Sequence, residues 1–540
     1  MKNSIFVRPV SGLVRELSIV DAAFYGVLAT GTFITIIYLW PFSNAVLPGS
    51  SLLLIGLLGF FCLGIPVSIV YAGLGSAMPR SGGDYVYQSR ILHPSIGFSI
   101  AFGFFSITWV ITAVLGGYAI TYYALQPLLL HLSYIFNIPI LIDIANSLVS
   151  PAYNILITII ILLLAFINSV MGMRWYRRIQ NYLLVPCVLI SHVMILIALL
   201  PASHDTFVQV FNYWGQKLTG DSNLYATVMS SALAGGYVTP SLDLYKTFAA
   251  FTLPGTWLGY IVFSAMGILG EVKGARSFKS LALAFLFAAF YTSILFVFLN
   301  MYLLERVVGW DFLNAFAYAY YGGLVEYPII PSILSICMEL LNNPLLMVLL
   351  VLGTIASTYY MAICCFLNAT RIWLAQSLDG LLPEWFSRVS PRFRAPINAN
   401  VFHLIIAIFW TLIYFLISEM YWTVYSGANF AWIGGIVPTA IAAVVFAWRT
   451  KEIYNASPVS QYKVLGVPLI TIFGVWLMLI SGLMAIVIAV EPALGVATLT
   501  SYITISALFI IPFIYFWIYR AYKKKKGILV DLAFKEIPPE

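Results

Sequence analysis

Long apolar runs broken by short polar stretches set the pattern of this chain. Runs long enough for a helix of roughly 20 residues across a bilayer fall at 18–40, 51–77, 95–124, 151–170, 180–200, 248–270, 280–303, 346–368, 400–418, 424–447, 466–490 and 497–519. The pattern predicts an all-α integral membrane protein of twelve helices, the last two parted only by a stretch holding Pro492 and Gly495. Between helices 2 and 3 the chain turns abruptly polar, in the stretch MPRSGGDYVYQSR at 78–90.

Charge tests the count independently, because Lys and Arg are retained on the cytoplasmic side. With the N-terminus inside, every one of the 27 basic residues except Lys217, Lys246 and Arg306 falls on an inner segment. Residues 1–17 and the basic tail 520–540 are therefore expected to be cytoplasmic, with Lys523 to Lys526 suited to an anionic lipid surface. A content of 62% hydrophobic and 9% charged residues exceeds what a soluble core needs. The net charge of +7 has the same inner-loop origin and implies no nucleic-acid partner.

Several function classes drop out. The five cysteines have no metal-ligand spacing. No phosphate-binding loop, HExxH helix or GxSxG elbow occurs, which argues against an enzyme and leaves an ion or solute gradient as the source of energy. The first apolar run reads as a retained helix rather than a cleavable signal, with the plasma membrane as the default location. Two long outer connections, 201–247 and 304–345, carry aromatic, Gly and Pro residues and predict short helices on the outer surface, either capping a vestibule or packing passively.

In hydrocarbon, helix-breaking residues at mid-span are tolerated mainly where the freed backbone groups face a cavity or another helix. Helix 1 places Ala29, Thr30, Gly31 and Thr32 near its midpoint, and helix 6 places Pro254, Gly255, Thr256, Trp257 and Gly259 at a similar depth. Interrupted helices at matching places in two inverted halves point to the central site of a transporter. These nine residues are the candidate substrate-binding set. Trp257 and Tyr260, with Trp109 and Tyr118 of helix 3, are candidate apolar walls, of which Trp257 is preferred. Thr354, Ser357 and Thr358 share one face of helix 8, a hydroxyl set suited to a hard monovalent cation or, alternatively, to bonding within the bundle. His192 and His403 are expected to be neutral and bonded to neighbouring helices.

The stretch AGLGSAMPRSGGDYVYQSRIL resembles the signature of the amino acid-polyamine-organocation (APC) superfamily, with Pro79, Gly82, Gly83, Tyr85 and Tyr87 in its positions. Three further stretches resemble the family in order: LSIVDAAFYGVLATGTF with Asp21, FINSVMGMRWYRRIQ, and TRIWLAQSLDGLLPEWFSRVSPRFRAP with Arg371, Asp379, Gly380, Pro383 and Pro396. The resemblance implies a leucine-transporter-like fold of two inverted five-helix repeats, 18–200 and 248–447, joined by the 201–247 loop. Helices 1 and 6 would be broken, and two peripheral helices would follow at 466–519.

It also implies transport of amino acids by alternating access. The absence of mid-membrane carboxylates favours neutral or apolar substrates. By the same resemblance the Tyr25 and Leu28 carbonyls would join Thr354, Ser357 and Thr358 in a sodium site. Helix 5 lacks the lysine of some proton-coupled relatives, although Na+, H+ and ion-free exchange all stay open as coupling modes. The alternatives are an exchanger, a polyamine permease and a non-transporting receptor. Ala29 in place of the first helix 1 glycine, and GTWLGYIVF in place of an aromatic-acid pair in helix 6, depart from the family pattern. No cofactor is implied; the partners are a small-molecule substrate and the lipid bilayer, with the oligomeric state left open.

Overall fold

The structure is a computed structural model that describes residues 11–258, 267–528 and 530–535, the side chain of Thr256 excepted. Among the described residues, eleven helices are long and apolar enough to cross a membrane. The first predicted span is divided into α1 (Ile19–Ala29) and α2 (Thr32–Val46). After α3 (Leu52–Ala77) comes the link helix α4 (Asp84–Ile91), then α5 (Pro94–Phe136), α6 (Pro151–Val170) and α7 (Met173–Leu199). The following connection holds α8 (His204–Leu218) and α9 (Leu224–Ala234). α10 (Leu244–Leu258) is the described part of predicted helix 6, whose continuation at 259–266, with Gly259 and Tyr260, lies outside the described residues.

Next comes α11 (Phe278–Val308), and the connection after it holds α12 (Trp310–Tyr321) and α13 (Ile333–Leu341). α14 (Pro344–Leu378), α15 (Ile397–Leu416), α16 (Ser418–Arg449), α17 (Leu469–Val490) and α18 (Leu499–Lys525) complete the bundle. The last two, set apart in sequence by little more than Pro492 and Gly495, are separated by a turn in which Gly495 adopts a φ of +74°.

Local signals explain where the helices start. Ser18 caps α1 and Asp21 returns the bond to the Ser18 N–H, a reciprocal capping box. Asn343 caps α14, with Pro344 at the first helical position, where its missing N–H costs nothing. α14 packs against α1, α2, α5 and α7, while α16 carries α17 and α18 on its outer side. Lipid-compatible residues such as Leu164 and Ile167 of α6, Leu479 and Leu483 of α17 and Ile510 and Ile514 of α18 remain exposed.

One face of the bundle, which bears most of the Arg and Lys clusters, is sealed by buried polar contacts. Arg90 of α4 pairs with Asp379 at 2.7 Å, and Arg371 of α14 pairs with Glu271 at 3.0 Å, all with side chains at most 1% exposed. Tyr85 donates to Asp379 at 2.5 Å. Asp84 has no guanidinium partner: its Oδ1 accepts from Tyr71 at 2.7 Å and from Thr439 at 2.5 Å. The segment before α1 is stapled to the same face, since the Leu17 N–H donates to the Glu271 carbonyl and the Lys273 N–H to the Leu17 carbonyl.

Two expectations follow. A Cβ on Gly103 of α5 would overlap the Leu508 carbonyl oxygen of α18, so Gly103→Ala is expected to destabilise the protein by about 1–3 kcal/mol, read as a lower melting temperature in detergent. Burial raises the Asp84 pKa from 3.8 to about 6, with the bonds from Thr439 and Tyr71 opposing the shift. A raised native pKa means that the protonated form is favoured by folding; its contribution is full below the unfolded pKa and is lost as pH rises through the native one. Relative to Asp84→Asn, the unsubstituted protein should therefore lose thermal stability between pH 3.8 and about 6.

Candidate functional site

The interruption between α1 and α2 is made by one residue. Gly31 adopts φ +57° and ψ +48°, the left-handed region that a Cβ disfavours. The loose backbone groups are tied locally: Gly31 N–H donates to the Leu28 carbonyl at 3.0 Å, Thr30 Oγ1 to Val27 O at 2.7 Å and Thr35 Oγ1 to Thr30 O at 2.9 Å. The first N–H groups of α2 have no acceptor within their own helix.

Above this break lies a cavity of about 380 Å³. Thr30 and Gly31 border it at one end, and the α2 face of Ile34, Tyr38 and Phe42 runs up its wall for about 12 Å at the helical rise. α5 contributes Thr112, Leu115, Tyr118 and Tyr123, α10 contributes Leu253 and Trp257, and α14 contributes Met361. From α16 come Trp422, Tyr425, Ser426 and Asn429, while Tyr321 of α12 and the Ala493–Gly495 turn close the far end. None of the described lining residues carries a charge.

The wall is largely aromatic. Tyr38 meets Trp257 and Tyr123 edge-on, at centroid distances of 6.2 and 5.1 Å, and stacks on Tyr118 at 6.5 Å. Three buried polar atoms in the lining, Tyr38 OH, Thr112 Oγ1 and Asn429 Oδ1, have no hydrogen-bond partner in the protein. Such orphan atoms on three different helices suit a ligand with polar groups of its own, since an unmet buried group is costly.

Of the sequence candidates, Thr30, Gly31 and Trp257 line this cavity, and Tyr118 joins them. Ala29, Thr32, Pro254 and Gly255 are near the same helices but are not in its lining. Trp109 sits elsewhere, packed on Trp432 at 4.3 Å. The expected break spanning Pro254 to Gly259 is corrected in its first part, since α10 runs as one helix through Pro254 and Gly255 to Leu258, while Gly259 lies outside the described residues. The proline removes only one helical bond, and Gly255 lies beside Met484 Cε of α17 and the Phe251 ring without bending the helix. Tyr38, Thr112, Asn429 and Tyr425 were not singled out from the sequence; isolated polar residues within apolar spans were the available signal.

The candidate cation residues lie on α14. Thr354, Ser357 and Thr358 are fully buried, and all three hydroxyls lack a hydrogen-bond partner. This differs from Thr370 on the same helix, which bonds back to Phe366 O at 2.7 Å. The Tyr25 carbonyl accepts from Tyr360 OH at 3.3 Å, and the Leu28 carbonyl from the Gly31 N–H. His192 bonds to Tyr291 of α11 at 3.1 Å. His403 departs from expectation: neither ring nitrogen has a partner, and the ring packs on Phe366 at 4.0 Å. No group of three or more His, Cys, Asp or Glu able to hold a metal occurs among the described residues.

The short helices of the two long connections do more than lie over the bundle. Trp40 of α2 donates to Leu313 O of α12 at 3.1 Å, and Tyr237 and Thr239 both donate to Asp311. Through Tyr321, α12 becomes part of the cavity wall.

Comparison with known proteins places this architecture. A protein of Rhizobium meliloti (strain 1021), named as an uncharacterized transporter, is 27% identical over 222 residues, spanning 38% of this chain and 45% of that protein. The amino acid permease family matches residues 17–511, which takes in both halves of the bundle, the cavity and the sealed face. A membrane transporter with an uncharged, aromatic-walled cavity at an interrupted first helix, the chain belongs to the amino acid permease family.

Proposed function

We propose that the protein is a secondary transporter that moves neutral, largely apolar amino acids across the plasma membrane by alternating access. The observation that carries this reading is the uncharged cavity at the Thr30–Gly31 interruption, with orphan polar atoms at Tyr38, Thr112 and Asn429. A substrate carboxylate would sit at the N-terminus of α2, where unpaired N–H groups and the helix dipole favour an anion. The ammonium group would find acceptors in Asn429 Oδ1 and Thr112 Oγ1, and the side chain would pack on Leu115, Leu253 and Trp257. The closed basic face and the cavity on the opposite side fit the stage in which substrate is loaded from outside, given cytoplasmic termini.

For coupling, we favour a sodium ion held by the hydroxyls of Thr354, Ser357 and Thr358 with the Tyr25 and Leu28 carbonyls. The support is that three buried hydroxyls on one helix face have no partner of their own. Exchange without an ion is the second reading. A polyamine permease is disfavoured because no carboxylate stands among the described lining residues.

The direct test is uptake of a radiolabelled amino acid mixture by proteoliposomes, with and without sodium or proton gradients. Uptake of neutral amino acids is expected; absence of both entry and exchange overturns the transporter of amino acids. Trp257→Ala should raise KM about tenfold by removing one apolar wall. Ser357→Ala with Thr358→Ala should abolish sodium stimulation, and full retention of sodium dependence would dispose of that ion site.

A further inference from the structure

Beyond α18 the chain turns at Lys526 and Gly527 and returns to the bundle as the short turn Val530–Phe534. Val530 and Ala533 are buried, at 3% and 6% exposure. The turn is fastened to its own helix by Arg520, whose Nε and Nη2 donate to the two Asp531 carboxylate oxygens at 2.8 and 2.6 Å. Such a paired fork is the stronger form of an ion pair, although its exposure leaves it open to screening by salt.

The place where this turn docks is the seal of the basic face. Arg90 Nη2 donates to the Ala533 carbonyl at 3.4 Å, and the guanidinium lies 5.1 Å from the Phe534 ring and 5.4 Å from the Tyr85 ring. The same Nη2 pairs with Asp379, the cap residue that ends α14. Arg90 is thus enclosed between two rings, one from its own α4 and one from the tail. Without Phe534 the guanidinium would open to water, and an ion pair in water is far weaker than one held in a dry pocket.

We propose that Val530–Phe534 is a latch on the basic face: docked, it keeps the Arg90–Asp379 pair dry and the face closed, and released, it lets α4 part from the end of α14 more readily. The regulated step is the opening of the site toward the basic side. The inference rests on that face being a gate of the proposed transporter.

The test is amide hydrogen exchange of the full chain in lipid nanodiscs, read on the α4 peptide and on α6 as a distant reference. Phe534→Ala and Asp531→Arg are each expected to speed exchange in α4 about three- to tenfold, the scale of one lost cation–π or charge-paired contact, with α6 unchanged. Arg520→Asp combined with Asp531→Arg should return α4 to the rate of the unsubstituted protein. Unaltered α4 exchange in both single variants, or equal acceleration in α4 and α6, would overturn the latch. The readout involves no substrate, so a failed uptake assay and a failed latch are distinct results.

Discussion

In the hydrocarbon core of a bilayer no water is present to satisfy a backbone N–H or C=O, and this requirement governs the whole molecule. It makes the helices obligatory and makes any interruption of them an event that must be compensated at once. The break at Thr30 and Gly31 meets it with side-chain hydroxyls: Thr30 and Thr35 each satisfy a carbonyl that the helix has released. What is left uncompensated is the set of donors at the start of α2, beside the cavity. The same rule gives the orphan atoms of Tyr38, Thr112 and Asn429 their weight, because each is a buried polar group that the protein leaves unpaired.

Charge is segregated from that cavity with equal strictness. Buried ionic groups are concentrated at the basic face, where Arg90 and Arg371 each have a carboxylate partner. A buried pair adds little net stability over an apolar contact, but one member stripped of its partner while still dry is strongly disfavoured. Separation of these pairs is therefore tied to the arrival of water between them. That property suits the gate proposed for this face, which would be firm when shut and would part in one step.

Most of the helical architecture could be read from the chain because apolar run length and basic-residue placement are long-range, redundant signals. α14, for instance, was expected from 346 to 368 and observed as Pro344–Leu378. The small-residue patch in the first span marked a real interruption, since a left-handed residue there needs a glycine. In α10 the matching patch stays helical at Pro254 and Gly255, with Gly259 outside the described residues, because a glycine that lies beside Met484 looks identical in sequence to one that bends the backbone. Tyr118 of α5 was legible as a wall, but the polar lining at Thr112 and Asn429 was not: a lone Thr or Asn reads the same whether it bonds back to its own helix or is left unmet. Only the packing of distant helices decides between the two.

The staple between Leu17 and the 271–273 stretch carries a consequence for how the protein is made. Contacts such as that of Arg15 with the Gly270 carbonyl join residues 255 positions apart. At ordinary rates of synthesis the partner strand emerges about ten to fifty seconds after the first helix has left the ribosome. Through that interval the segment is held by the capping box at Ser18 and Asp21 and, once they are made, by the bonds of Arg174, Gln180 and Asn181 to Glu16 and Asp21, so the bonds from residues 15–17 to 270–273 are among the later ones to lock α1 in place.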